Sequence, residues 1–166
     1  MKSFKSYLEE KQIIPGRGKK YGQAILLAGG AGSGKSFAVS QFIDSAQYKV
    51  INPDDVLTMA VRLADQEKAF HNLKGKNLSK GEDLAQVYQD VVVDRRVTSR
   101  KNKVFLQNLN PERLPNIILD RTFSRDSEFK TWATKLRNAG YKPENIHIVW
   151  VLTDLEIALA QNIKRG

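Results

Sequence analysis

Residues 29–36 read Gly29-Gly30-Ala31-Gly32-Ser33-Gly34-Lys35-Ser36 (GGAGSGKS). They follow the apolar run Gln23–Ala28 (QAILLA) and precede a segment in which Ala38, Val39, Phe42 and Ala46 recur at helical spacing. A buried strand, a glycine-rich turn and a helix in that order decide the fold. The octapeptide satisfies G-x-x-x-x-G-K-[ST], with Gly29, Gly34, Lys35 and Ser36 at the fixed positions. Phosphate oxygens must approach backbone N–H groups closely here, so side chains have to be absent, and four glycines provide that. The helix that opens near Lys35 aims its positive end at the anion. Lys35 reaches the β- and γ-phosphates, Ser36 offers its hydroxyl to Mg²⁺, and Ala31, Ser33 and Phe37 complete the cradle. The expected ligands are ATP or GTP with Mg²⁺. Other phosphate loops fit worse. A dinucleotide fingerprint starting at Gly30 needs glycine where Lys35 stands, and the flanking pattern holds no hairpin of the protein-kinase kind.

Outward from this loop, strands alternate with helices. Tyr48–Ile51 reads as a second strand ended by Asn52-Pro53, and a helix is expected from Asp54 to about Ala64. Residues 66–81 look irregular. Leu84, Val87, Tyr88, Val91 and Val92 predict one long helix from about Glu82 to Leu109, closed by Pro111 and Pro115. Asn116–Asp120 (NIILD) is a third strand. Ser124 is the expected cap of a helix ending at Gly140, Ile146–Leu152 a fourth strand, and Asp154 the cap of a last helix. Such alternation implies an α/β fold, a central parallel sheet of about four strands with helices on both faces. Trp132 and Trp150 are expected in the core, and His71 and His147 as structural or exposed residues.

With 166 residues and no linker-rich middle, one folded domain from about residue 23 is expected. Residues 1–22 form an arm in which Phe4, Tyr7 and Leu8 share helical spacing. The absence of cysteine excludes a disulfide framework and a thiolate metal site and suits the cytoplasm. Neither long apolar run can span a bilayer, so no membrane partner is expected. Net charge is +9, from 27 Lys and Arg against 18 Asp and Glu, which suits a phosphorylated or polyanionic partner as well as it suits a plain soluble surface. Arg95, Arg96, Arg100, Lys101 and Lys103 form an acid-free basic cluster within the segment of about 66–115, where an acceptor is expected to bind.

A carboxylate at the end of a neighbouring strand is needed beside Mg²⁺, and Asp120 fills that position; Thr122 follows it. The second strand runs into Asp54 and Asp55. Either can take a proton from an attacking hydroxyl, and either can cap the next helix.

Taken together, GGAGSGKS, INPDD (51–55), ILDRT (118–122) and EIALAQNIKRG (156–166) resemble a branch of P-loop kinases that includes the zeta-toxin sugar-nucleotide kinases and the phage polynucleotide 5′-kinases. The resemblance covers residues 23–166 and implies a three-layer P-loop NTPase fold. It implies that Asp54 is the general base, that Asp120 helps hold Mg²⁺, and that Thr122 touches substrate; Asp55 is also expected at the substrate. It also implies that Arg165 is a lid arginine. Two departures stand out: Gln161 occupies the place of a first lid arginine, and Leu57 that of an arginine holding a nucleic-acid end. The second argues against a polynucleotide acceptor. The lid pattern itself breaks off at Gly166. The opening MKSFKSYLEE resembles leaders of tailed-phage proteins, which would place the chain in a host cytoplasm. The expected activity is transfer of a γ-phosphate to a hydroxyl of a small-molecule or nucleotide-type acceptor. The alternatives are a nucleotide-binding regulatory or assembly protein and a polynucleotide 5′-hydroxyl kinase.

Overall fold

The computed structural model describes residues 21–43 and 47–163. The arm before residue 21 and the lid residues Lys164 and Arg165 lie outside the described residues. The chain divides into two compact units, one of residues 1–51 and 109–162, the other of residues 52–108 and 163–166.

The first unit is built on a parallel sheet of four strands, β1 (Ala24–Ala28), β2 (Tyr48–Ile51), β3 (Asn116–Asp120) and β4 (Ile146–Trp150), in the order β2-β3-β1-β4. All five residues of β1 are buried, as are the first four of β3, which accounts for their unbroken apolar runs. On one face Ile25, Leu27 and Ile118 pack with Val39 and Ile43 of the segment that carries helix α1 (Lys35–Phe42). On the alternate positions Leu26, Ile117 and Leu119 are equally buried. In register, Ala24 stands beside Ile117 on one side and Ile146 on the other, and Leu27 beside Asp120. From β1 the chain crosses to β2 beyond β3, whereas from β3 it crosses to β4 beyond β1. The two connections diverge between the carboxyl ends of β1 and β3, the point where ligands settle in open parallel sheets.

Helix α5 (Asp126–Asn138) belongs to this unit; α2 (Asp54–Leu63), α3 (Gly81–Tyr88) and α4 (Val97–Gln107) belong to the other. Gly140 ends α5 as expected. Its φ is +103°, its N–H donates to Arg137 O, and the Tyr141 N–H donates to Leu136 O, the paired bonds of a Schellman cap. At the other end the expected cap is not Ser124. The helix starts after Arg125, and the Ser124 hydroxyl donates to the Glu128 carboxylate at 3.4 Å rather than accepting a backbone N–H. Asp154 does cap the last helix, α6 (Leu155–Ile163), accepting the Glu156 N–H at 2.9 Å. Trp132 is buried, with Arg121 and Lys135 over its ring at 5.4 and 5.1 Å, but Trp150 is 66% exposed. The core reading of Trp150 is therefore wrong: among the described residues β4 is an outer strand of the sheet.

In the second unit, α2 (Asp54–Leu63) is followed by a 3-10 turn at Lys68–Leu73, inside the stretch expected to be irregular. Val56, Leu57, Ala60, Leu73, Val87 and Val91 form its core. The single long helix expected from 82 to 109 is instead three pieces: α3 (Gly81–Tyr88), a π-helical turn at Gln89–Asp94, and α4 (Val97–Gln107). The cause is local. Val91, Val92 and Val93 are three consecutive β-branched residues with little freedom in a helix. The Arg95 N–H reaches back five residues to Asp90 O, and its guanidinium donates to the Asp90 carboxylate at 2.8 Å. Arg96 then takes a left-handed conformation (φ +51°) that resets the helix axis.

Candidate phosphate-binding site

The loop of residues 29–34 lies between the carboxyl ends of β1 and β3. Gly29 donates its N–H to Thr122 O at 3.3 Å, tying the loop to the segment after β3. The Lys35 ammonium donates to Gly29 O at 2.8 Å and to Gly30 O at 3.1 Å, and stands 3.9 Å from the Asp120 carboxylate. Both side chains are about 85% buried (15% and 14% exposed), so their attraction is screened much less than that of a surface pair. Glycine is required for space at two positions, Gly29 and Gly32, and by its left-handed φ of +86° at Gly34. Gly29 has φ +152°, and a Cβ there would meet Ser33 Oγ at 2.6 Å and Val151 O at 2.9 Å. Gly32 has φ +74°, and its Cβ would run into the carbonyl oxygen of Ala158. At Gly30 and Gly34, by contrast, a Cβ would meet nothing within 4 Å, so their freed volume opens outward.

That open side fits a phosphate group. The Ser33 hydroxyl is buried without a partner among the described residues, and helix α1 begins at Lys35 with its N–H groups facing its own start. The Ser36 hydroxyl and the Asp120 carboxylate are hard oxygen donors of the kind Mg²⁺ takes alongside phosphate oxygens. No cluster of three His, Cys, Asp or Glu residues among the described residues could hold a metal by itself. Ser36 and Phe37 are exposed. Thr122 is exposed and enters the site through its backbone carbonyl.

Three supports of the loop escape a motif reading. The Thr153 hydroxyl donates to Ser33 O at 2.6 Å. Ala158 on α6 closes against Gly32. Phe123 holds a left-handed backbone (φ +47°) while its ring stacks on Phe129 at 4.6 Å, which pins the turn carrying Thr122. Nothing in the spacing of Thr153 or Phe123 announces these roles; only the fold brings them to the loop.

A family model described as an AAA domain (AAA_33) matches residues 25–166. The chain belongs to this family. It is a P-loop NTPase-type family that includes kinases, and it agrees with the all-parallel sheet. No curated protein matches the chain. The match makes this AAA-domain chain nucleotide-binding and kinase-like in kind. No helix among the described residues is long and apolar enough to cross a membrane.

The remaining candidate residues lie in the second unit. Asp54 and Asp55 open α2 and are exposed; the Asp54 N–H donates to the Asn52 side chain at 2.8 Å. Of the three arginines, Arg95 is committed to Asp90, which raises its pKa, and its guanidinium lies 5.7 Å from the Phe70 ring centroid. Arg96 and Arg100 are exposed.

Proposed function

We propose that the protein is an ATP- or GTP-dependent phosphotransferase that moves the γ-phosphate to a hydroxyl of a small-molecule or nucleotide-type acceptor. The observation that carries this reading is the Lys35 ammonium, held between two loop carbonyls and the Asp120 carboxylate at the carboxyl edge of the sheet. Lys35 can exchange its carbonyl partners for phosphate oxygens without leaving the loop. Ser36 and Asp120 would hold Mg²⁺, whose contribution is to neutralise charge on the transferred group. Asp54 accepts the acceptor's hydroxyl proton as the new O–P bond forms and the bond to the bridging oxygen of the leaving diphosphate breaks. Arg165 is the proposed lid arginine, and Asp55, Thr122, Arg96 and Arg100 the proposed acceptor contacts. Leu57 is buried in the second unit's core, which favours a small acceptor over a polynucleotide end. Gln161, in place of a first lid arginine, favours a second reading, a nucleotide-binding regulatory protein with little catalysis.

Transfer from γ-labelled ATP to sugars, nucleosides and 5′-hydroxyl oligonucleotides tests the reaction. Labelled acceptor is expected, and tight nucleotide binding without any labelled product would replace this reading with the second. Asp54→Ala is expected to lower transfer by about 10²–10⁴-fold, the usual worth of a general base, with nucleotide affinity nearly unchanged. Full transfer by that variant would remove Asp54 from the reaction.

A further inference from the structure

The segment that leaves β4 runs alongside the phosphate loop. Val151 donates its N–H to Ala28 O, and its own carbonyl oxygen lies 2.9 Å from where a Cβ on Gly29 would stand. Two residues on, the Thr153 hydroxyl donates to Ser33 O at 2.6 Å across 120 residues of sequence. That distance is at the short end for a hydroxyl on oxygen. The bond fixes the peptide unit between Ser33 and Gly34. A trans peptide is planar, and its C=O and N–H point to opposite sides. With Ser33 O turned to Thr153, the Gly34 N–H is turned away from it, and no described residue accepts it. Gly34 is left-handed, with φ +86° and ψ +21°, and α1 begins at the next residue. Left-handed backbone leading into right-handed backbone makes successive N–H groups converge on one concavity that suits an anion.

We infer, resting on the proposed role of this loop in holding the triphosphate, that Thr153 is a positioning residue: its hydroxyl keeps the Ser33–Gly34 peptide with the N–H toward the phosphate oxygens. This peptide is one that can turn over. Its rotation is set by ψ of Ser33 and φ of Gly34, and glycine accepts either sign of φ. Turned over, it would present the Ser33 carbonyl oxygen to the phosphates and take the Gly34 N–H away from them. A serine at position 153 keeps the hydroxyl, and a valine keeps the shape without it.

Calorimetry of the full chain with Mg²⁺ and no acceptor tests this apart from any transfer. Thr153→Val is expected to weaken ATP binding about tenfold, the upper worth of a neutral hydrogen bond. Inorganic tripolyphosphate is expected to weaken by the same factor, because the contact is to phosphate and not to the base. Thr153→Ser is expected to stay within about twofold of the unchanged chain. In NMR spectra the Gly34 amide proton is expected to move downfield when Mg²⁺ and ATP are added to the unchanged chain, and to move less in Thr153→Val. That shift marks an N–H gaining an anionic acceptor, which a merely structural threonine would not alter. It is read on the unchanged chain even if the valine variant folds poorly, and a Gly34 proton that does not move overturns the inference. So does full ATP affinity in a folded Thr153→Val, or a Thr153→Ser variant as weak as the valine. If affinities and shifts follow these expectations in a chain that transfers no phosphate, Thr153 keeps its role and the phosphotransferase reading falls instead.

Discussion

The loop at residues 29–36 and the basic stretch at residues 95–103 both gather positive charge, and they do so by different means. Lys35 is one ammonium, mostly buried and gripped by oxygens on three sides, with backbone N–H groups around it. The basic stretch has more cations, but Arg95 is spent on Asp90, and Arg96 and Arg100 stand in solvent, where each interaction is weak and salt-dependent. An anion site is made by desolvation and fixed geometry more than by the number of charges.

Removing one cation from each place separates the two clusters most strongly. Lys35→Ala is expected to weaken ATP binding by about 30–150-fold, the worth of charged hydrogen bonds of about 2–3 kcal/mol, and Arg100→Ala by no more than about twofold. Calorimetry with Mg²⁺ measures both, and equal losses would make the two clusters equivalent. Next in size is the loop's backbone. Gly32→Ala is expected to cost about 2–4 kcal/mol of stability through left-handed strain and collision with Ala158, and Gly30→Ala less than about 0.5 kcal/mol. Denaturant unfolding of the pair checks this; similar midpoints would mean the loop is not clasped from behind.

A smaller effect of opposite sign is expected in the basic stretch. Arg96→Gly removes the left-handed penalty and should stabilise the protein by a few tenths of a kcal/mol, net of the entropy glycine adds to the unfolded chain. A loss of stability on denaturant titration would assign Arg96 a structural contact. The smallest effect concerns His147, whose pKa burial holds below the ordinary value of 6.5. The unfolded chain then binds the proton more readily than the folded one. Stability from this group is complete above the unfolded pKa and declines as pH falls through it toward the folded pKa. Thermal melts between pH 8 and 5 should show a decline that is shallower in His147→Gln.

The same contrast explains what could be read from residue order. β1 and β3 and the loop follow from apolar runs and glycine spacing, because central strands buried on both faces leave little choice of side chain. Gly140 and Asp154 were legible because each cap depends on one residue's own chemistry. The helix through residues 82–109 was misread because its apolar period continues across the π turn. The break is written in the Asp90–Arg95 pairing and three successive valines, which a periodicity cannot weigh. Trp150 was misplaced for a related reason: an apolar strand reads alike in the middle of a sheet and at its rim. The motif spacing pointed to Lys35 and Asp120, which the fold brings within 3.9 Å of each other, but Thr153, Ala158 and Phe123 carry no such signal, since they touch the loop through contacts made only in three dimensions.

The clasp formed by Thr153 on Ser33 and by Ala158 on Gly32 has an energetic consequence. Glycine-rich turns are conformationally expensive to hold still, and a ligand that must freeze one loses affinity in doing so. Here the stiffening is supplied from behind by the last helix and is already in place before any triphosphate arrives. Binding energy is then left for the chemistry instead of being consumed in ordering the receptor.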